Sequence, residues 1–235
     1  MIFDLRGKRR RTVQATYLGL AILMGAGLVF FGIGSSVSGG LSDLFGGGGG
    51  GSDQATKTVQ KNIDAAEKKL KTNPSDTGAL GDLVRGHYQL ATQKADANGN
   101  FTASAQGELV ATTDAWKRYS DAVKKPDKGL ANTAIQAYTG LAQLTKDPQD
   151  QKPFWEGAAG AAESLTAGSK NFNAYLQLVQ YASLAGETRK ADLAGQRAIE
   201  RAPKGQEKQV KQAVQQAKQS GASTTSGTQT PTPAP

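Results

Sequence analysis

The chain has 235 residues and no cysteine, which excludes a disulfide framework and any thiolate metal site. Hydrophobic residues make up only 37%, concentrated in one block near the N-terminus, while the remainder is rich in Ala, Gln, Lys and Gly. Of the formal charge of +8, half comes from Arg6, Lys8, Arg9, Arg10 and Arg11 against Asp4, so the excess is no nucleic-acid signature.

In chain order, residues 1–14 are a basic N-terminus. From Ala15 to Ile33 there is no charged residue across 19 positions. As a helix that run would rise about 28 Å, close to the hydrocarbon thickness of a bilayer. A cleaved signal peptide has a shorter apolar region, and the only small-residue site after the run is the weak Val37-Ser38-Gly39. Residues 15–33 are therefore expected to be an uncleaved transmembrane helix. Basic residues precede the run and none follows between Gly34 and Thr56, which puts the N-terminus in the cytoplasm and the bulk of the chain outside the plasma membrane. Tyr17, Phe30 and Phe31 suit the two interfaces. Ala21 and Gly25 form a small-xxx-small pair that would let two spans approach, so a homo-oligomer through the bilayer is one expectation.

Residues 34–52 read as a flexible linker, with Gly46 to Gly51 unbroken. No Gly-Lys-Ser/Thr follows, so this is not a phosphate loop. Residues 53–219 carry helical periodicity and no alternating β-branched run. Val59, Ile63, Ala66 and Leu70 mark one helix face, and Asn73-Pro74 ends it. Asp76 caps the next helix, through Leu80, Leu83, Val84, His87, Leu90 and Ala91. Ala115, Tyr119 and Ala122 mark a later helix ended by Pro126. Asn98-Gly99-Asn100 provides the intervening turn. Gly129–Leu144 is a further helix. Asp147-Pro148 through Pro153 is expected to break the chain before a helix resumes over Phe154–Leu165. Residues 172–203 hold another pair. Lys204–Gln219 is a polar helix with Val210 and Val214 on one face. Residues 220–235, made of Ser, Thr, Pro, Gly, Ala and Gln, are expected to be a disordered tail.

Tyr175, Leu178, Gly186, Ala191, Ala198 and Pro203 occupy the spacing of a helix-turn-helix repeat of about 34 residues. Val179, Ala182 and Gly195 depart from it. Leu80, Leu83, His87 and Ala91 match the first half of the same pattern, and Ala115, Tyr119 and Ala122 the second. Tyr138 followed by Ala142 resembles its Tyr-x3-small step. The region resembles a tetratricopeptide (TPR) repeat protein of the bacterial single-pass, membrane-anchored type. The resemblance implies an all-α fold: an α-solenoid of about three helix pairs, with a leading and a capping helix behind one transmembrane helix. It also implies a concave groove, lined by the first helix of each pair, that binds a protein or peptide segment. Carried onto this chain, the groove residues are Arg85, Tyr88, Gln89, Asn132, Gln136, Asn173, Gln177 and Gln180. The carboxylate-clamping version of such grooves needs Lys and Asn where this chain has Gly81 and Arg85, so that ligand class is not expected.

No residue set for catalysis stands out. His87 is the only histidine, and it falls on the apolar face of its helix, where a packed structural role is expected. No carboxylate pair or EF-hand spacing occurs, so neither an enzyme, a metal nor a cofactor is expected. The small residues from Gly157 to Ala162 suit a close-packed helix seam. Eight basic residues from Arg189 to Lys218 face Asp192, Glu200 and Glu207. They read as a solvated helix face, or as a surface drawn to anionic lipid or envelope polymer. The expected function is a membrane-tethered scaffold for protein segments, active in envelope assembly or secretion. The alternative is a structural, self-associating protein that touches envelope polymer or lipid through these basic helices.

Overall fold

Val59, Ile63, Ala66 and Leu70 recur at helical spacing because they are the buried stripe of the first described helix, α1 (Ser52–Thr72). The computed structural model describes the backbone of residues 52–225 and the side chains of 54–220. The expected span at 15–33, the linker up to Gly51 and the last ten residues of the tail lie outside them. Among the described residues no helix is long and apolar enough to cross a membrane.

The described residues form eight α-helices, and the only extended pairing among them is one isolated bridge, Ala95 to Phe101. After α1 come α2 (Thr77–Gln93), α3 (Gln106–Ala122), α4 (Lys128–Leu144), α5 (Pro148–Thr166), α6 (Phe172–Leu184), α7 (Thr188–Glu200) and α8 (Glu207–Thr225). Each helix packs on the next in sequence. With short turns between them, neighbours run antiparallel. The last helix runs to Thr225, past the Gln219 end read from the sequence.

The first helices of the three hairpins share one register. Asp76 Oδ1 accepts from Ala79 N at 2.9 Å, Asp127 Oδ1 from Leu130 N at 2.9 Å and Asn171 Oδ1 from Asn173 N at 3.0 Å. Each cap satisfies one of the orphan amides of its helix start. Four residues past the cap stand Leu80, Ala131 and Tyr175; seven past, Leu83, Ala134 and Leu178; eight past, Val84, Ile135 and Val179. All nine are buried. Burial of each large side chain in this set contributes roughly 1.5–3 kcal/mol. The equivalence places Tyr138 with His87 and Ala182, eleven past the cap, and Ala142 with Ala91 and Gly186, fifteen past, which is the step read from Tyr138 and Ala142.

Two sequence expectations change. The break read from Asp147-Pro148 through Pro153 is confined to residues 145–147, because α5 begins at Pro148. Asp147 caps it through Gln149 N at 2.8 Å, and Pro at the first helical position costs no hydrogen bond. Pro153 sits inside the helix, exposed and within its first two turns, where one lost bond is tolerated. In α3, Ala115 and Tyr119 are buried as expected, but Ala122 is exposed. The buried stripe runs instead through Thr112, Ala115, Trp116 and Tyr119.

The seam of small residues in α5 is tight. Ala158, Ala159, Ala161 and Ala162 are each 0% exposed, and the Tyr138 ring lies where a side chain on Gly157 would stand. Gly195 has the same role in α7: a Cβ there would come within 2.7 Å of Val214 Cγ1. Gly195, which departs from the repeat spacing, leaves the gap through which α8 packs.

Candidate partner-binding face

The first helices place the expected groove residues on one stripe. Arg85, Gln136 and Gln180 are equivalent, nine residues past their caps. Asn132, Asn173, Gln177, Tyr88 and Gln89 fall two, five, six, twelve or thirteen past, which is one face of a helix at 3.6 residues per turn. Arg85, Asn132, Asn173 and Gln180 are exposed, while Tyr88, Gln89, Gln136 and Gln177 are half-buried.

Two of these residues meet directly across α2 and α4. Tyr88 Oη donates to Gln136 Oε1 at 2.5 Å. The Tyr88 ring is met edge-on by Phe101, centroids 6.0 Å apart and planes at 73°. Burial pushes the Tyr88 hydroxyl up to about 12. Tyr88, expected to line the groove, also joins the packing of α2 against α4. Arg85 is paired with Asp82 on its own helix at 3.5 Å, both about half exposed, and an ion pair so solvated holds the guanidinium weakly.

Phe101 escaped the sequence reading. It belongs to the connection 94–105 between α2 and α3, which folds back so that a Cβ on Gly140 of α4 would lie 2.6 Å from the Phe101 ring. Glycine at 140 is what admits the ring. With Tyr88, Leu144 and Phe154, Phe101 covers a small second core of Ala91, Ala105, Leu109, Ala137 and Leu141. The turn that returns it is built on Asp96, whose Oδ1 accepts from Asn98 N at 2.9 Å and Asn100 N at 2.8 Å, with Gly99 at φ +81°. The amide and side chain of Asn100 lead the set of hydrogen bonds that holds the Asp96 carboxyl below its usual range.

His87 is structural in its surroundings. Its Nδ1 lies 2.8 Å from Glu108 Oε2, and Lys94 Nζ donates to Glu108 Oε1 at 2.9 Å. Burial alone would raise the Glu108 pKa, but the bonds from His87 and Lys94 outweigh it and the net shift is downward. The three residues tie α2 to α3 across the long connection. Among the described residues no group of three or more His, Asp or Glu side chains could hold a metal.

No family model, curated protein or solved structure matches the chain.

Proposed function

We propose that the chain is a helical-repeat scaffold of the tetratricopeptide kind, which binds a protein segment along the exposed face of α2, α4 and α6. The observation that carries this reading is the shared register of those three helices. The same offsets from an Asx cap are buried in each, and the same offset leaves Arg85, Gln136 and Gln180 in a row. Repeat arrays bind through such rows because each pair adds one equivalent contact strip. Arg85 supplies a guanidinium for a carboxylate or carbonyl, and the amides of Asn132 and Gln180 supply paired donors and acceptors. α1 leads the array and α8 closes it, its Val210 and Val214 covering the apolar side of α6 and α7. Tethering to the plasma membrane through residues 15–33, with this domain outside the cytoplasm, belongs to the same proposal and rests on the charge asymmetry of the N-terminal sequence.

Site-specific photo-crosslinking in the native membrane tests the face. A crosslinker at Gln180 should yield a discrete adduct, and one at Leu193, exposed on the second helix of the same pair, should not. Adducts from 193 and none from 180 would place binding elsewhere.

A further inference from the structure

The two ends of the helical array differ in charge. The turns at 73–76, 123–127, 167–171 and 201–206 share one end, since neighbouring helices alternate in direction. Lys124, Lys125, Lys128, Lys170, Lys204 and Lys208 lie in or beside these turns. All six are exposed, and none is in an ion pair among those seen in the described residues. The acids nearby are fewer: Asp121 is exposed, and three others keep their charge while bonding backbone amides. Asp76 and Asp127 cap α2 and α4, and Glu207 Oε2 accepts from Gly205 N at 2.9 Å. The opposite end is more evenly balanced: Lys94 is bound by Glu108, and Lys146 and Arg189 stand beside Asp147 and Glu187.

The helix dipole explains only part of this bias, since Lys124, Lys125, Lys170 and Lys204 follow helix C-termini. Cations stabilise helix C-termini, but Lys128 is the first residue of α4 and Lys208 the second of α8, where positive charge is unfavourable. The arginines at this end serve the fold instead. Arg118 Nη2 donates to Pro74 O at 3.2 Å, and Arg201 Nε to Ser169 O at 3.1 Å while its guanidinium lies 4.8 Å from the Tyr175 ring centroid. These ties fix neighbouring turns against each other and bring the segments of Lys170 and Lys204 together.

We propose that this basic end is a second docking surface, separate from the face of α2, α4 and α6, and that its occupant is an acidic protein segment rich in Asp and Glu. Charge complementarity selects an anionic chain. The large exposed apolar residues among those described, Val110 and Leu193, lie away from these turns, so charge is the feature this end presents.

The test uses the full chain and a labelled poly-glutamate peptide, with oligo-dT and phosphatidylglycerol vesicles as parallel probes. A variant carrying Lys124→Gln, Lys125→Gln, Lys170→Gln and Lys204→Gln is compared with one of equal charge carrying Lys57→Gln, Lys61→Gln, Lys146→Gln and Arg189→Gln. Both keep the N-terminal arginines, so that contribution cancels. The proposal expects poly-glutamate affinity to fall about tenfold or more in the first variant only, with the loss shrinking at high salt. Equal losses in both variants, or no peptide binding by the parent chain, would overturn it. Tighter binding of oligo-dT or vesicles that depends on the same four lysines would overturn the choice of occupant. Matching thermal melts for the two variants confirm that neither result reflects unfolding.

Discussion

The first and last helix pairs solve the same packing problem with opposite means. In the last pair, α6 and α7 are joined by three residues, with Gly186 at φ +76°, and the seam is made of small side chains: Ala182, Ala191, Ala194, Gly195 and Ala198. In the first pair, α2 and α3 are separated by residues 94–105, and larger groups fill the space. Phe101 folds back under Tyr88, and Glu108 holds His87 and Lys94. Small residues leave no room for variation and need no polar partners. Large and charged ones admit a long insertion, but each polar atom among them must be satisfied. The last pair is thus sensitive to added volume, and the first to lost partners and to pH.

The largest effect should come from added volume. Gly195→Leu forces a side chain into the place held by Val214, which a Cβ alone would approach to 2.7 Å. Overpacking of this kind costs roughly 1–3 kcal/mol, and here it should unseat α8. Faster amide exchange over residues 207–220, with α2 and α3 unchanged, is the expected reading. Protection of α8 as in the parent chain would show that the seam yields.

The first pair should respond next, through Glu108. Its carboxyl is held below its usual range, so its contribution to stability is full above the unfolded value near 4.5 and is lost as pH falls through the lower folded value. Glu108→Gln should lower stability at neutral pH by about 1–3 kcal/mol, since the partners His87 and Lys94 lose their anion. It should also flatten the decline of the melting temperature in acid. A variant that declines as steeply as the parent would assign acid sensitivity to other carboxylates.

Tyr88→Phe should have the smallest effect, about 1 kcal/mol for the bond to Gln136, with the ring still packed on Phe101. The parent hydroxyl should resist ionisation up to pH about 12, and folding stability should fall as pH rises from about 10 towards that value, because burial disfavours the phenolate. Spectrophotometric titration of the parent against the variant isolates this tyrosine.

Elements with clear periodicity and caps could be read from the chain alone. The stripe Val59–Ile63–Ala66–Leu70, the cap at Asp76 and the Gly186 turn all depend on neighbours within one or two helical turns. In the middle pair Ala131, Ala134 and Ala137 fit any register, and packing against α5 supports the one read from Tyr138 and Ala142. Pro153 misled because proline is read as a break, whereas Asp147 and Pro148 had already started the helix. Phe101 and Glu108 act through residues 13 to 39 positions away, Tyr88 and Gly140 for the first and His87 for the second. No local pattern carries that information. On the candidate face, the eight residues came from carrying the repeat resemblance onto the chain, and the engagement of Tyr88 by Gln136 has no local sequence signal.

The scaffold reading is tested most directly by a variant of the exposed row alone: Arg85→Glu, Asn132→Ala and Gln180→Ala, leaving Tyr88 and Gln136 in place. The measurement is quantitative recovery of co-purifying proteins from solubilised membranes, set beside the thermal melt of the same preparations. Exposed substitutions typically cost under about 0.5 kcal/mol each, so the melting temperature should stay within a few degrees of the parent. The account predicts that a discrete partner retrieved by the parent chain is lost from the variant. Recovery of the same partner at the same strength, with the fold intact, would contradict it.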